Sequence, residues 1–129
     1  MADGDQTIVL TSNTRAKINL TPNEDVWEMV VTATFDTDDT TDVSLAIPFN
    51  GIIRDIVLAV PNTTNAITTQ LQIQDNGDNV VFDTGELAEN STYTFSVDKS
   101  LSGTIDVVIG VSGAVGASGS IIVATIRGI

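Results

Sequence analysis

Apolar and polar residues alternate along most of this chain with a period of two, which is typical of β-strands that bury one face. The clearest case is residues 26–35, where every second position is apolar, beginning at Trp27 and ending at Phe35. Residues 67–74 and 93–98 repeat the pattern. Each segment therefore predicts a half-buried strand, with the aromatic side chains turned inward.

Short apolar runs between turn residues predict further strands at residues 7–11, 17–20, 43–47, 52–60, 80–82, 104–111 and 121–127. Turns are expected at residues 22–23, 38–39, 61–62, 76–77, 89–90 and 102–103, and Pro48 and Gly51 bracket another. Asn76 and Gly77 are expected to supply the positive-φ residues of a hairpin. No helix-length segment has a helical period. These features predict an all-β, single-domain antiparallel sandwich, jelly-roll-like, with residues 1–20 as an amino-terminal arm or first strands and 21–129 as the sandwich domain.

Two strands, residues 52–60 and 121–126, are apolar on both faces. A strand has this composition when both of its faces are covered, and a two-layer sandwich covers only one. The second face is expected to meet either the amino-terminal arm or another subunit. The candidate subunit interface is Ile121, Ile122, Val123 and Ile126.

The charge and composition of the chain argue against several classes of function. The 129 residues contain neither cysteine nor histidine, so thiolate metal sites and the usual general base are absent. With 5 basic and 17 acidic residues the net charge is −12, which disfavours nucleic acid and anionic membranes as partners. The amino terminus has no signal-peptide pattern, so synthesis in the cytoplasm is expected. No cofactor and no enzymatic activity are predicted.

One acidic cluster has the oxygen ligands that calcium prefers, with Asp36, Asp38, Asp39 and Asp42 as weak candidate ligands. Its spacing departs from the EF-hand loop, because Thr41 stands where the central glycine belongs and Ile47 where the bidentate glutamate belongs. A solvated turn is the preferred interpretation. A carbohydrate-binding module is a further alternative, weakened because the aromatic residues fall on buried faces of strands.

Residues 47–52, Ile-Pro-Phe-Asn-Gly-Ile, lead a long strand toward a strand that ends in Asn76-Gly77. This arrangement resembles the jelly-roll domains of tailed-bacteriophage virion proteins over residues 47–82, and more loosely over 104–127. The resemblance implies a capsid decoration (cement) protein that forms a homo-oligomer, with a trimer favoured. It would be located on the outer capsid surface and contact the major capsid protein lattice. The candidate capsid contact is Ile8, Val9, Leu10, Arg15 and Lys17. The alternative is a fibre or tail adhesin domain that recognises a host-surface carbohydrate.

Overall fold

Eight β-strands and no helix make up the described part of the chain, which in this computed structural model is residues 6–17, 25–117 and 119–129. None of these residues therefore belongs to a helix that could cross a membrane. The strands are β1 (Thr7–Lys17), β2 (Asp25–Phe35), β3 (Val43–Val60), β4 (Thr68–Gln74), β5 (Val80–Asp83), β6 (Leu87–Ala88), β7 (Ser91–Val111) and β8 (Ser120–Gly128). All their pairings are antiparallel, which confirms the predicted fold class.

The two longest strands are β3 and β7, and they pair from one end of β3 to the other and join the two layers of the sandwich. Their register shifts between Ile53 and Asp55, where a bulge interrupts the ladder. Bulges bend strands and increase their twist, so the paired ribbon can pass from one layer to the other at this point.

Layer one contains β1, β2, β8, the second half of β3 and the first half of β7, in that order. Layer two contains the first half of β3, the second half of β7, β4 and β5, with β6 also pairing β4. Strands that are distant in sequence thus lie side by side, as in the two interlocked Greek keys of a jelly roll.

The predicted breaks within these two long strands are wrong. The turn at residues 48–51 is absent because Pro48 lies in the half of β3 that forms the edge of layer two, where a residue without an N–H is tolerated. The turn at residues 102–103 is also absent. Gly103 continues β7 with a φ of 89°, and Asn76 of the β4–β5 turn packs against it.

The β4–β5 hairpin is present, but its positive φ is at Asp78 (63°) rather than at Asn76 or Gly77. Asp75 explains this conformation, because its Oδ1 accepts hydrogen bonds from the backbone N–H groups of Gly77 and Asn79, both at 2.9 Å. The predicted turn at residues 22–23 and most of the predicted strand 17–20 lie outside the described residues.

The core lies between the layers and follows the predicted alternation. On β2, every second side chain from Trp27 to Phe35 is buried. On β8, Ile122, Ala124 and Ile126 are fully buried. The Trp27 and Phe49 rings meet edge to face with centroids 4.9 Å apart. Burial of each large apolar side chain stabilises the fold by about 1.5–3 kcal/mol.

Candidate functional site

A polar groove lies on the outer face of layer two, on the strands β4 and β7. Thr69, Leu71 and Ile73 of β4 are buried, so the alternating Gln70, Gln72 and Gln74 side chains face outward. The register places Gln70 opposite Gly110 and Gln72 opposite Val108 of β7. The groove has a volume of about 110 Å³, and its lining includes Asp42, Gln70, Gln72, Glu86, Gly110 and Ser112.

The two glutamines of the groove are held in place by one carboxylate on the neighbouring strand β5. Gln70 Nε2 donates to Asp83 Oδ1 at 2.7 Å, and Gln72 Nε2 donates to Asp83 Oδ2 at 3.0 Å. The Gly85 N–H also donates to Asp83 Oδ1, at 2.8 Å. The bond from Gln70, followed by those from Gly85 and Gln72, lowers the pKa of Asp83. Since both amide nitrogens are directed at Asp83, the carbonyl Oε1 atoms are the glutamine atoms best placed to meet a ligand.

Asp42 borders the groove because Gly110 leaves room for it on β7. A Cβ atom at position 110 would collide with the Asp42 carboxylate, because it would lie only 2.7 Å from Asp42 Cγ. The glycine is therefore a steric requirement for the position of Asp42. The residues come from distant parts of the chain and meet because β3 and β4 both flank the second half of β7.

Ser112 closes the end of the groove beyond β7. Its Oγ accepts the backbone N–H of Thr68 at 2.8 Å, and its own N–H donates to Thr68 O at 2.9 Å. The Ser112 hydroxyl hydrogen remains available as a donor. With the carboxylates of Asp42 and Glu86 and the glutamine oxygens, the groove presents mainly hydrogen-bond acceptors on a fixed β-sheet surface.

All six aromatic side chains fall within the described residues, and each is buried or half-buried: Trp27, Phe35, Phe49, Phe82, Tyr93 and Phe95. Phe82 packs edge to face on Phe95 with centroids 5.6 Å apart. The groove therefore offers polar contacts and has no ring on which a ligand could stack.

The carboxylates of the predicted calcium cluster have different surroundings. Asp39 is fully buried, and its Oδ2 accepts the Asp36 N–H at 2.7 Å, while Asp42 lies against Gly110. Within the described ranges, no group of three or more potential ligands is placed to hold a metal ion. Asp38 is exposed at the surface.

The candidate capsid-contact residues lie on β1, the edge strand of layer one, which pairs with β2 along its length. Ile8 packs against the core, whereas Val9 and Leu10 are 50% and 37% exposed. Only the backbone of Arg15 and Lys17 is described, and it continues the β1–β2 ladder.

The candidate subunit-interface residues divide between two faces of β8. Ile122 and Ile126 are fully buried in the core, so their assignment to a subunit interface is wrong. Ile121 is 58% exposed and Val123 is partly exposed on the opposite face. Both faces of β8 therefore carry apolar side chains, but only the alternate residues that face outward are available to a partner.

No protein-family model matches the chain, and no curated protein matches it. Solved structures resemble it at low identity. One is described as Bacillus endospore appendages that form disulfide-linked pili; it is 18% identical with a TM-score of 0.49, over 99% of this chain and 93% of that one. Another is TmCBM61 in complex with beta-1,4-galactotriose, 14% identical with a TM-score of 0.47, over 97% and 87% of the two chains. The present chain has no cysteine and cannot form a disulfide linkage.

Proposed function

We propose that this protein is a non-enzymatic β-sandwich binding module that recognises a carbohydrate through the groove on layer two. The observation that carries the proposal is the pair of glutamines held by Asp83, because it fixes two acceptor atoms in position before any ligand arrives. Preorganised polar groups bind a ligand without the entropic cost of ordering side chains. This is the adhesin-type alternative that the sequence left open.

The character of the groove selects among carbohydrates. Sugar hydroxyls donate hydrogen bonds, and the Asp42, Glu86 and glutamine oxygens accept them. A glycan with carboxylate or sulfate groups would place its negative charge beside Asp42 and Glu86, on a chain whose net charge is −12. The proposed ligand is therefore a neutral carbohydrate.

The size of the groove predicts how the ligand binds. Its volume of about 110 Å³ is well below the roughly 300–1,000 Å³ of sites that enclose a small molecule. The groove would hold one edge of a sugar unit within a longer chain. Without a stacking ring, the affinity for a single unit should be weak, with a Kd on the order of 1 mM.

The experiment is a screen of neutral and anionic oligosaccharides, followed by a titration monitored by amide chemical shifts. We expect the neutral ligands to shift the amide signals of β4 and of residues 108–112. Gln72→Ala should weaken binding about 2- to 12-fold, because one neutral hydrogen bond is worth about 0.5–1.5 kcal/mol. Gln74→Ala is the matched control, since Gln74 lies on the same strand and face but outside the groove lining.

Equal loss of binding in the two variants would contradict the assignment of the groove. Binding that maps to another surface would also contradict it. If no neutral glycan binds at millimolar concentration, the proposed carbohydrate function itself is wrong.

Capsid decoration is a second candidate, favoured by the exposed Val9 and Leu10 on the edge strand β1. An edge strand with exposed apolar side chains can accept a further strand from another protein. On this proposal the protein would be located on the outer surface of a virion. Leu10→Arg should abolish binding to purified capsids, whereas Val80→Arg, at a 50% exposed site on β5, should not. Unchanged capsid binding by Leu10→Arg would exclude β1 as the contact.

A further inference from the structure

The outer face of layer one contains a large area without charged residues, although the molecule as a whole is acidic. The outward residues of the two central strands are Val30, Thr32 and Thr34 on β2 and Ile121, Val123 and Thr125 on β8, and the register pairs them directly. The same rows continue to Val9 on β1, to Val57 and Ala59 on β3, and to Thr94 and Thr92 on the first half of β7. Within the described strands, no residue of these three rows is charged. We call this surface the uncharged face.

Charges begin at the next row, which bounds the uncharged face on one side. Arg127 Nε donates to Glu28 Oε2 at 2.7 Å, and Arg127 Nη1 lies 3.9 Å from Asp55 Oδ2. The hydrogen bond and charge of Glu28, together with the charge of Asp55, raise the pKa of Arg127. The cation of this row is thus already paired within the chain, and the uncharged face attracts no partner by charge.

From these observations we infer that the uncharged face packs against the same face of a second copy of this chain. Two molecules of net charge −12 repel each other, and this is a surface on which they can approach without bringing carboxylates together. Twisted sheets pack face to face about 10 Å apart, with apolar and threonine side chains interdigitating. A two-fold axis near Val123 would place the charged rows of the two copies at opposite ends of the contact.

The dimensions of the uncharged face support a weak dimer. Five strands about 4.8 Å apart and three rows about 6.7 Å apart cover about 24 by 20 Å, or about 480 Å² per copy. The pair would bury about 1,000 Å² in total, which is near the lower limit for a specific interface. We therefore expect a concentration-dependent dimer with a micromolar Kd, in place of the trimer suggested by the sequence. This inference does not depend on what the groove binds.

The test is the solution mass of the protein, measured by sedimentation equilibrium over about two decades of concentration around the micromolar range. We expect a monomer–dimer equilibrium that shifts toward the dimer when salt is added, because salt screens the repulsion between the acidic copies. A monomer at every concentration would overturn the inference. A dimer that dissociates in salt would also overturn it, since that contact would depend on charge attraction.

A matched pair of variants locates the contact. Ile121→Glu places a carboxylate on the uncharged face and should weaken dimerisation at least about 100-fold, because a charge buried without a partner is costly. Val80→Glu makes the same change in charge at a similarly exposed site on layer two and should leave the Kd within about 3-fold. Circular dichroism establishes that both variants are folded. If both dimerise like the parent protein, or both lose the dimer equally, the uncharged face is not the interface.

Discussion

The end of β8 packs so closely against the bend of β3 that Gly128 tolerates no side chain. A Cβ atom at this position would overlap the carbonyl oxygen of Ile52 and lie 2.7 Å from the Trp27 ring. The backbone of Ile129 exchanges two hydrogen bonds with Ile52 next to this contact, at 2.7 and 3.0 Å. Gly128→Ala must therefore separate β8 from β3 at the point where β3 leaves layer one.

The cost of this change follows from the contacts. Losing the two backbone hydrogen bonds costs about 1–3 kcal/mol, and overpacking against Trp27 adds about 1–3 kcal/mol. A mid-range loss of about 4 kcal/mol lowers the melting temperature of a domain of this size by about 12–20 °C. This is a large part of the roughly 5–15 kcal/mol that stabilises a typical domain.

Thermal and urea unfolding, monitored by circular dichroism, measure this effect. Gly113→Ala is the control, because its Cβ would lie at an ordinary 3.6 Å from Ile67 Cγ2 and the residue has no positive φ. We expect the control to change stability by less than about 1 kcal/mol. If Gly128→Ala unfolds at the same temperature as Gly113→Ala, the close approach of β8 and β3 is not a feature of the folded protein.

Three further predictions concern stability and chemistry. Leu58→Ala should cost about 2–5 kcal/mol, whereas Val57→Ala, on the opposite face of β3, should cost much less; similar losses in urea unfolding would contradict the assigned faces. Hydrogen bonds lower the pKa values of Asp75, Asp83 and Glu89, so the stability these groups provide is present at neutral pH and is lost as acid protonates them below about pH 4; a melting temperature that does not fall between pH 5 and pH 2 would exclude this contribution. Calcium and EDTA should leave the melting temperature unchanged. A rise in the melting temperature with calcium would instead support a metal site at the acidic cluster of residues 36–42.

The strands of this fold were predictable where local pattern decides the structure. Alternation alone identifies β2, because its buried residues recur at every second position and each outward partner is polar or of moderate size. The pattern failed at Pro48 and Gly103, both of which normally mark turns. The physical reason lies in residues far away in sequence. Pro48 can stay in a strand because it lies at an edge of the sheet. Gly103 lies in a strand where the Asn76 side chain packs against it and leaves no room for a Cβ atom.

The groove was less accessible to sequence reasoning. The outward series Gln70, Gln72 and Gln74 is visible as the polar half of an alternating strand, but nothing local shows that Asp83 holds two of these amides. The sequence identified Asp42 as one carboxylate of an acidic cluster. It could not place Asp42 at the groove, because that position depends on the strand register that brings Gly110 beside it. A polar strand face opposite a glycine on a neighbouring strand is the signal that could have identified the site.

The passage of β3 and β7 through both layers has a mechanical consequence. The groove lies on the second half of β7, and the first half of the same strand belongs to layer one. A pulling force applied to a ligand in the groove therefore reaches layer one through the covalent backbone of β7. It does not have to pass through the side-chain contacts between the layers. Because neither layer can lose these strands without disrupting the other, the two layers should exchange their most protected amide hydrogens at similar rates, in a single cooperative opening.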